Sequence, residues 1–177
     1  MAFVIIKDKD NATLGHLQTD AQERLGIHNF LHVQDQKATG ADGGTFTSGA
    51  WRTRELNTVV TNNIAGASLA DNQVTLPAGQ YYSASRANAK SVGVHVARLY
   101  NVSDSSVLLN GSTEVVVTDS PTQTISFVDG LFTLSEETTI ELQHSCAATC
   151  GTSGFGDGHN LGQAYEIFAD LKIWKVA

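Results

Sequence analysis

The sequence predicts an all-β fold, an antiparallel jelly-roll sandwich of about 8–10 strands preceded by an extended N-terminal arm. Three observations carry this expectation. Apolar residues make up 41% of the 177-residue chain and charged residues only 16%, below the roughly 25% charge of an ordinary soluble protein. The polar share falls instead to Thr, Ser, Asn and Gln, which suits strands and turns, whereas a helical bundle would be rich in Glu, Lys, Leu and Ala. From Thr45 onward, short apolar or alternating segments are separated by turn signals at short intervals, the pattern of a sandwich or barrel. Finally, near the C-terminus, Ile167, Ala169, Leu171 and Ile173 alternate with Glu166, Asp170 and Lys172, giving one apolar and one mostly charged face.

The length fits one domain with an appendage. The composition breaks at Lys37-Ala-Thr-Gly-Ala-Asp-Gly-Gly44, a run of small and turn-forming residues, so residues 1–42 are assigned to an arm and residues 43–177 to the domain. Within the arm, Thr19-Asp-Ala-Gln-Glu-Arg-Leu25 has the start signals of a short helix, with Thr19 or Asp20 as cap, Glu23 bonding back, and Gly26 as the stop. The opening Met1-Ala-Phe-Val-Ile-Ile6 is short, follows no basic region and runs into Lys7-Asp-Lys-Asp10. It is expected to be a strand or anchoring strip rather than a signal peptide. An arm of this size has too little apolar surface to fold alone. Phe3, Val4, Ile5, Ile6, Leu25, Ile27, Phe30 and Leu31 are therefore the expected anchor residues.

Strands are expected at 45–51, 54–60, 73–76, 80–86, 92–101, 106–110, 113–118, 123–134, 138–144 and 164–176. Pro77-Ala-Gly79 marks a tight connection, Pro fixing φ and Gly permitting a positive one. The segment 92–101 is apolar on both parities, with Val92, Val94 and Val96 on one side and Ala97 and Leu99 on the other. A strand apolar on both faces in a two-layer protein must meet something beyond the core. Phe168 and Trp174 fall on the polar side of the last strand, where a long loop or another subunit would cover them. Val92, Val94, Val96, Phe168 and Trp174 are thus the expected subunit interface.

A net charge of −7 and a pI near 5.2 argue against nucleic acid, whose phosphates need clustered Lys and Arg. An acidic surface likewise gives no pull toward anionic lipid, and no apolar run approaches the 18 or so residues of a membrane span. Catalytic and metal constellations are weak. His28 and His32 stand four apart, but no Glu follows His28 to complete a hydrolytic zinc motif. A zinc site can be drawn from His144, Cys146, Cys150 and His159, yet the spacing is that of no familiar finger. Free thiols are the expectation for the two cysteines. Ser, His and Asp occur without a Gly-x-Ser-x-Gly elbow, and Glu136-Glu137 read as solvated charges. Asn101-Val-Ser103 and Asn110-Gly-Ser112 match or nearly match glycosylation patterns but carry no weight here. Neither a catalytic residue nor a cofactor is expected. The Gly-rich stretch 151–162 reads as a long loop in which Asp157, His159 and Asn160 would contact a glycan or an ion.

Taken in order, Val74-Thr-Leu-Pro-Ala-Gly-Gln-Tyr-Tyr82, Val96-Ala-Arg-Leu-Tyr-Asn-Val102, Phe132-Thr-Leu with Thr139-Ile-Glu-Leu-Gln-His144, and Ala169-Asp-Leu-Lys-Ile-Trp-Lys175 resemble the trimeric jelly-roll modules of the C1q and tumour-necrosis-factor type. More narrowly, they resemble the versions found in bacteriophage virion proteins such as fibres and capsid decoration proteins. The resemblance spans about residues 44–176 and leaves out the arm. It implies a homotrimer closed around a threefold axis and a non-enzymatic role. A chain with no long shaft or coiled coil suits a decoration (cement) protein, located in the virion, whose arm binds the major capsid protein or another virion protein through strand pairing and trimeric avidity. The alternative is a tail-fibre or receptor-binding tip that holds carbohydrate with the loop 151–162 and with Trp51, Tyr81 and Tyr82.

Overall fold

The computed structural model describes residues 29–176 in full, and the backbone of two strands nearer the N-terminus, β1 (Ala2–Lys7) and β2 (Thr13–Thr19), which form an antiparallel hairpin. No helix occurs among the described residues. Two antiparallel sheets make a jelly-roll sandwich. The first contains β10 (Ser106–Val116), β9 (Gly93–Asn101), β12 (Thr138–Cys146), β7 (Gln73–Leu76) and β6 (Ser68–Ala70) in that order, with β4 (Arg52–Thr53) also paired to β12. The second runs β11 (Gln123–Leu134), β8 (Gly79–Lys90), β13 (Tyr165–Lys175), β3 (Phe30–Ala38) and β5 (Thr58–Asn62).

Period-two alternation supplies the core. Val74 and Leu76 of β7, Ala97 and Leu99 of β9, and Ile140 and Leu142 of β12 face Leu31 and Val33 of β3, Val128 and Phe132 of β11, and Ala169, Leu171 and Ile173 of β13; all are buried. Each such side chain larger than alanine contributes about 1.5–3 kcal/mol by leaving water. Along one side the sheets are stitched together at Gly111, where the register of β10 shifts. A Cβ there would lie 2.6 Å from the Phe127 carbonyl oxygen and 2.8 Å from that of Ala97, so only glycine lets β10 come this close to both neighbours. Ser126 closes the seam, donating to the Ser112 carbonyl and accepting from the Ala97 N–H.

Several expectations change. Residues 30–38, assigned to the arm, form an interior strand of the five-stranded sheet, paired to β13 on one side and β5 on the other. The sandwich therefore begins before residue 42, and the composition break at 37–44 is only the loop that leaves β3. Leu31, expected as an anchor, belongs to the core with no exposure, and Phe30 packs against Trp174. The segment 45–51 is not a strand; Phe46 makes a single bridge to Cys150. The strands expected at 106–110 and 113–118 are one, β10, because Gly111 marks a close approach rather than a turn. The strand expected at 54–60 starts later, at Thr58, and β6 was not anticipated. Phe3, Val4, Ile5 and Ile6 lie on β1, in keeping with the expected short strand, and Thr19 ends β2. The rest of the expected helix, 20–25 with Leu25, lies outside the described residues, as do Ile27 and His28.

Candidate functional site

A sandwich buries one face of each sheet and leaves the other in water. The outer face of the five-stranded sheet departs from the usual polar pattern. Trp174 of β13 is opposite Phe30 of β3 on one side and Tyr82 of β8 on the other, and Tyr82 is opposite Leu131 of β11. Phe30, Trp174, Tyr82 and Leu131 thus form one row across four neighbouring strands. The Phe30 and Trp174 rings stack at 4.6 Å, and Tyr82 tilts against Trp174 at 6.3 Å, geometries typical of favourable cross-strand aromatic pairs. Tyr82 is 40% exposed and Leu131 60%, and Phe127, further along β11, is 49% exposed.

Four residue positions along, the same face carries a second row, Gln34, Asp170, Arg86 and Phe127. Asp170 points away from the core yet is only 1% exposed, because its neighbours close over it. The Gln34 side-chain amide donates to Oδ1 at 2.6 Å, His32 Nε2 lies 2.7 Å from the same oxygen, and the Arg86 guanidinium pairs with Oδ2. Burial alone would raise the Asp170 carboxyl, but the bonds from Gln34 and His32 and the Arg86 charge hold it below the ordinary value. Between the two rows, Trp174 and Phe127 wall a cleft of about 350 Å³ over Ala84 and Ser85, with Arg86, Asp129 and Lys172 at its rim. Aromatic and arginine side chains round a desolvated polar centre are the composition of a protein contact surface.

The opposite sheet presents Val94, Val96, Arg98 and Tyr100 of β9 outward, because His95, Ala97 and Leu99 take the inward positions. Strand 93–101 is thus apolar outward at one end only. Its other end is closed by the Arg98 guanidinium lying 3.9 Å over Trp51 and 4.6 Å over Tyr100. Beside them the Glu141 carboxylate accepts from Thr53, Gln73 and Gln143.

The expected interface residues are therefore dispersed. Trp174 lies in the aromatic row, and Val94 and Val96 lie on the other sheet. Val92 is fully buried in a small second core with Phe46, Ala89, Val116 and Cys146. Phe168 is buried by its own chain: a bulge at 167–169 displaces it from the strand's alternation, and the loop at Gly156 lies so close that a Cβ there would be 2.1 Å from the Phe168 ring. Tyr81 is buried with its hydroxyl donating to the Pro77 carbonyl at 2.6 Å, so it faces no ligand.

The loop expected to hold a glycan is tied to the sandwich by its own contacts. Asp157 pairs with Lys90 at 2.7 Å, the His159 N–H donates to Glu166, and Gly158 N–H donates to Asp42; Asn160 is exposed. The residues drawn as a zinc site do not converge. His144 meets His95 at 2.9 Å, His159 approaches Asp157, Cys146 donates to the Ala148 carbonyl, and Cys150 to that of Gly151. Both cysteines are free thiols, and among the described residues no group of three or more His, Cys, Asp or Glu is arranged to hold a metal. Sequence reasoning named Phe30 as an anchor and Tyr82 as a ligand-facing aromatic without bringing them together, and it missed Leu131 and the Asp170 cluster. Its one available signal was the outward parity of Trp174, which needed the strand register to find its neighbours.

The architecture is that of the C1q and tumour-necrosis-factor jelly rolls. Murine APRIL at pH 5.0 is similar over 84% of this chain and 99% of its own, with a TM-score of 0.54 at 13% identity. Murine APRIL at pH 8.0 matches over 83% and 98%, with a TM-score of 0.50 at 15% identity. The globular domain of zebrafish complement 1qA matches over 85% and 98%, with a TM-score of 0.51 at 12% identity. No protein-family model matches the sequence, and no curated protein does. At such identities the likeness establishes the fold.

Proposed function

We propose that this chain is a non-enzymatic, self-associating module, a homotrimer that meets its copies through the outer face of the five-stranded sheet. The observation that carries this reading is the row of Phe30, Trp174, Tyr82 and Leu131, left open by the described residues, beside the sealed Asp170 cluster. The threefold contact, expected on strand 92–101, passes in this reading to the opposite face, keeping Trp174 and gaining the row. The setting is a bacteriophage virion, in which the trimer decorates and strengthens the capsid while the residues before β3 fasten it to the major capsid protein or another virion protein. The narrower resemblance of the strand motifs supports that setting, as do the apolar residues Phe3, Val4, Ile5 and Ile6 on a strand able to pair with a neighbour.

Because β3 belongs to the sandwich, the anchor is confined to residues 1–28, which sharpens the experiment. Deleting residues 1–28 should leave a folded, associated protein that no longer binds its parent particles in co-sedimentation; retention of full particle binding would overturn the anchoring role. A receptor- or carbohydrate-binding tip is favoured by one observation, the partly exposed Trp51 beside Arg98. Glycan binding lost in Trp51→Ala, with particle binding intact, would select it.

A further inference from the structure

We propose that the pair His95–His144 is an acid-sensitive latch, which when neutral holds residues 42–51 and 147–163 against one end of the sandwich and releases them when it takes up a proton. The inference does not depend on how the protein associates.

The two imidazoles point inward from neighbouring strands of the six-stranded sheet and are buried. His95 Nδ1 lies 2.9 Å from His144 Nε2, and His95 Nε2 lies 2.7 Å from the Thr124 hydroxyl on β11. His144 Nδ1 is buried with no hydrogen-bond partner among the described residues. This geometry dictates where protons sit. Two nitrogens in hydrogen-bond contact share one proton, since two would collide and none would leave lone pairs opposed. With both rings neutral, the other proton goes either to His95 Nε2, where Thr124 accepts it, or to His144 Nδ1, where nothing does. The first choice leaves only a bare lone pair at His144 Nδ1, which costs less than an orphaned N–H. One further proton then has a single destination. Wherever it enters, the contact still holds one, so both His95 Nε2 and His144 Nδ1 become N–H groups, and the latter is buried without an acceptor.

The charged surroundings oppose this step. The Arg54 guanidinium, fully buried between the sheets, donates to the Phe168 and Asn88 carbonyls and lies 4.0 Å over the Phe155 ring, which itself packs beside His144. Asp35 of β3 stands 3.6 Å from Arg54 and is shared with Lys37, so it is engaged by two cations already. Glu114 of β10 acts on His95 in the opposite sense. The Cys146 thiol, raised to about 11 by burial, stays neutral and offers no countercharge. Burial first, then Arg54, holds both imidazoles below the ordinary 6.5, His95 at about 4 despite Glu114. For a group lowered on folding, stability is complete above the unfolded value and is lost as pH falls toward the folded one. The window is therefore from 6.5 down to about 4.

The parts that move are those resting on the pair. Phe46 lies 4.7 Å from the His144 ring and 4.4 Å from Phe155, and joins Cys150 through a backbone bridge. These contacts fasten 42–51 and 147–163 to the sandwich.

Hydrogen exchange of the full chain at pH 7 and pH 4, corrected for intrinsic rates, tests the latch. Peptides covering 42–51 and 147–163 should lose at least about tenfold in protection at pH 4, while 79–87 keeps its own. In the variant His95→Gln/His144→Phe, which retains a bond to Thr124 and the aromatic stack, that loss should vanish. Full protection of the wild-type segments at pH 4, or the same loss in the variant, would overturn the proposal. Should the variant not fold, imidazole nitrogen spectra of the wild type decide: both rings neutral at pH 5 supports the latch, and ordinary titration near 6.5 contradicts it.

Discussion

The two outer faces of the sandwich solve the same problem differently. Each carries a carboxylate sealed from water on a surface where alternation should place solvated groups, Asp170 on one and Glu141 on the other. Around Glu141 the donors are neutral, from Thr53, Gln73 and Gln143, and the nearby apolar surface is closed by Arg98 lying over Trp51 and Tyr100. Around Asp170 the partners include the Arg86 cation, and the neighbouring aromatic row is left open, with Leu131 60% and Tyr82 40% exposed. The first face leaves Val94 and Val115 exposed at one end, but its aromatic side chains are capped by Arg98. The second is a polar centre with an apolar border that no described residue covers, which is why self-association is proposed there.

That contrast can be attacked at several points. Asp170→Ala should have the largest effect on stability, about 2–3 kcal/mol, because it strands Arg86, His32 and Gln34 at a desolvated site; the partial exposure of Arg86 keeps the loss below that of a fully buried pair. Glu141→Ala, which strands only neutral donors, should cost about 1–2 kcal/mol, and urea melts of the two variants compare them directly. A larger loss for Glu141→Ala would reverse the ranking of the two faces. Trp51→Ala should cost no more than about 1 kcal/mol, the worth of an exposed cation–π contact. Val94→Thr, a half-exposed side chain paired with exposed Val115, should fall within about 0.5 kcal/mol and leave the sedimentation of the protein unchanged.

The sequence disclosed the parts of this molecule whose cause is local. Strands at 73–76 and 123–134 coincide with β7 and β11 because turn residues bound them closely. The alternation of Ala169, Leu171 and Ile173 marks the core face of β13 directly. β3 escaped because Asp35 occupies an inward position, where a buried partner, Arg54, meets it from beyond the loop that follows β3. Phe168 misled because a bulge shifts its parity and a glycine-lined loop, distant in sequence, covers it. The aromatic row was hidden for the same reason: Phe30, Tyr82, Leu131 and Trp174 become neighbours only through the registers of four strands. Trp174 alone signalled the face, by standing on the polar side of a legible strand.

The most direct test of the central claim is sedimentation equilibrium on the wild type and on Tyr82→Glu/Leu131→Glu, which places two charges in the open part of the row without touching the core. Three times the 18.8 kDa chain mass for the wild type, and a folded monomer for the variant, is the predicted result. A monomeric wild type, or a variant that remains trimeric, would contradict it.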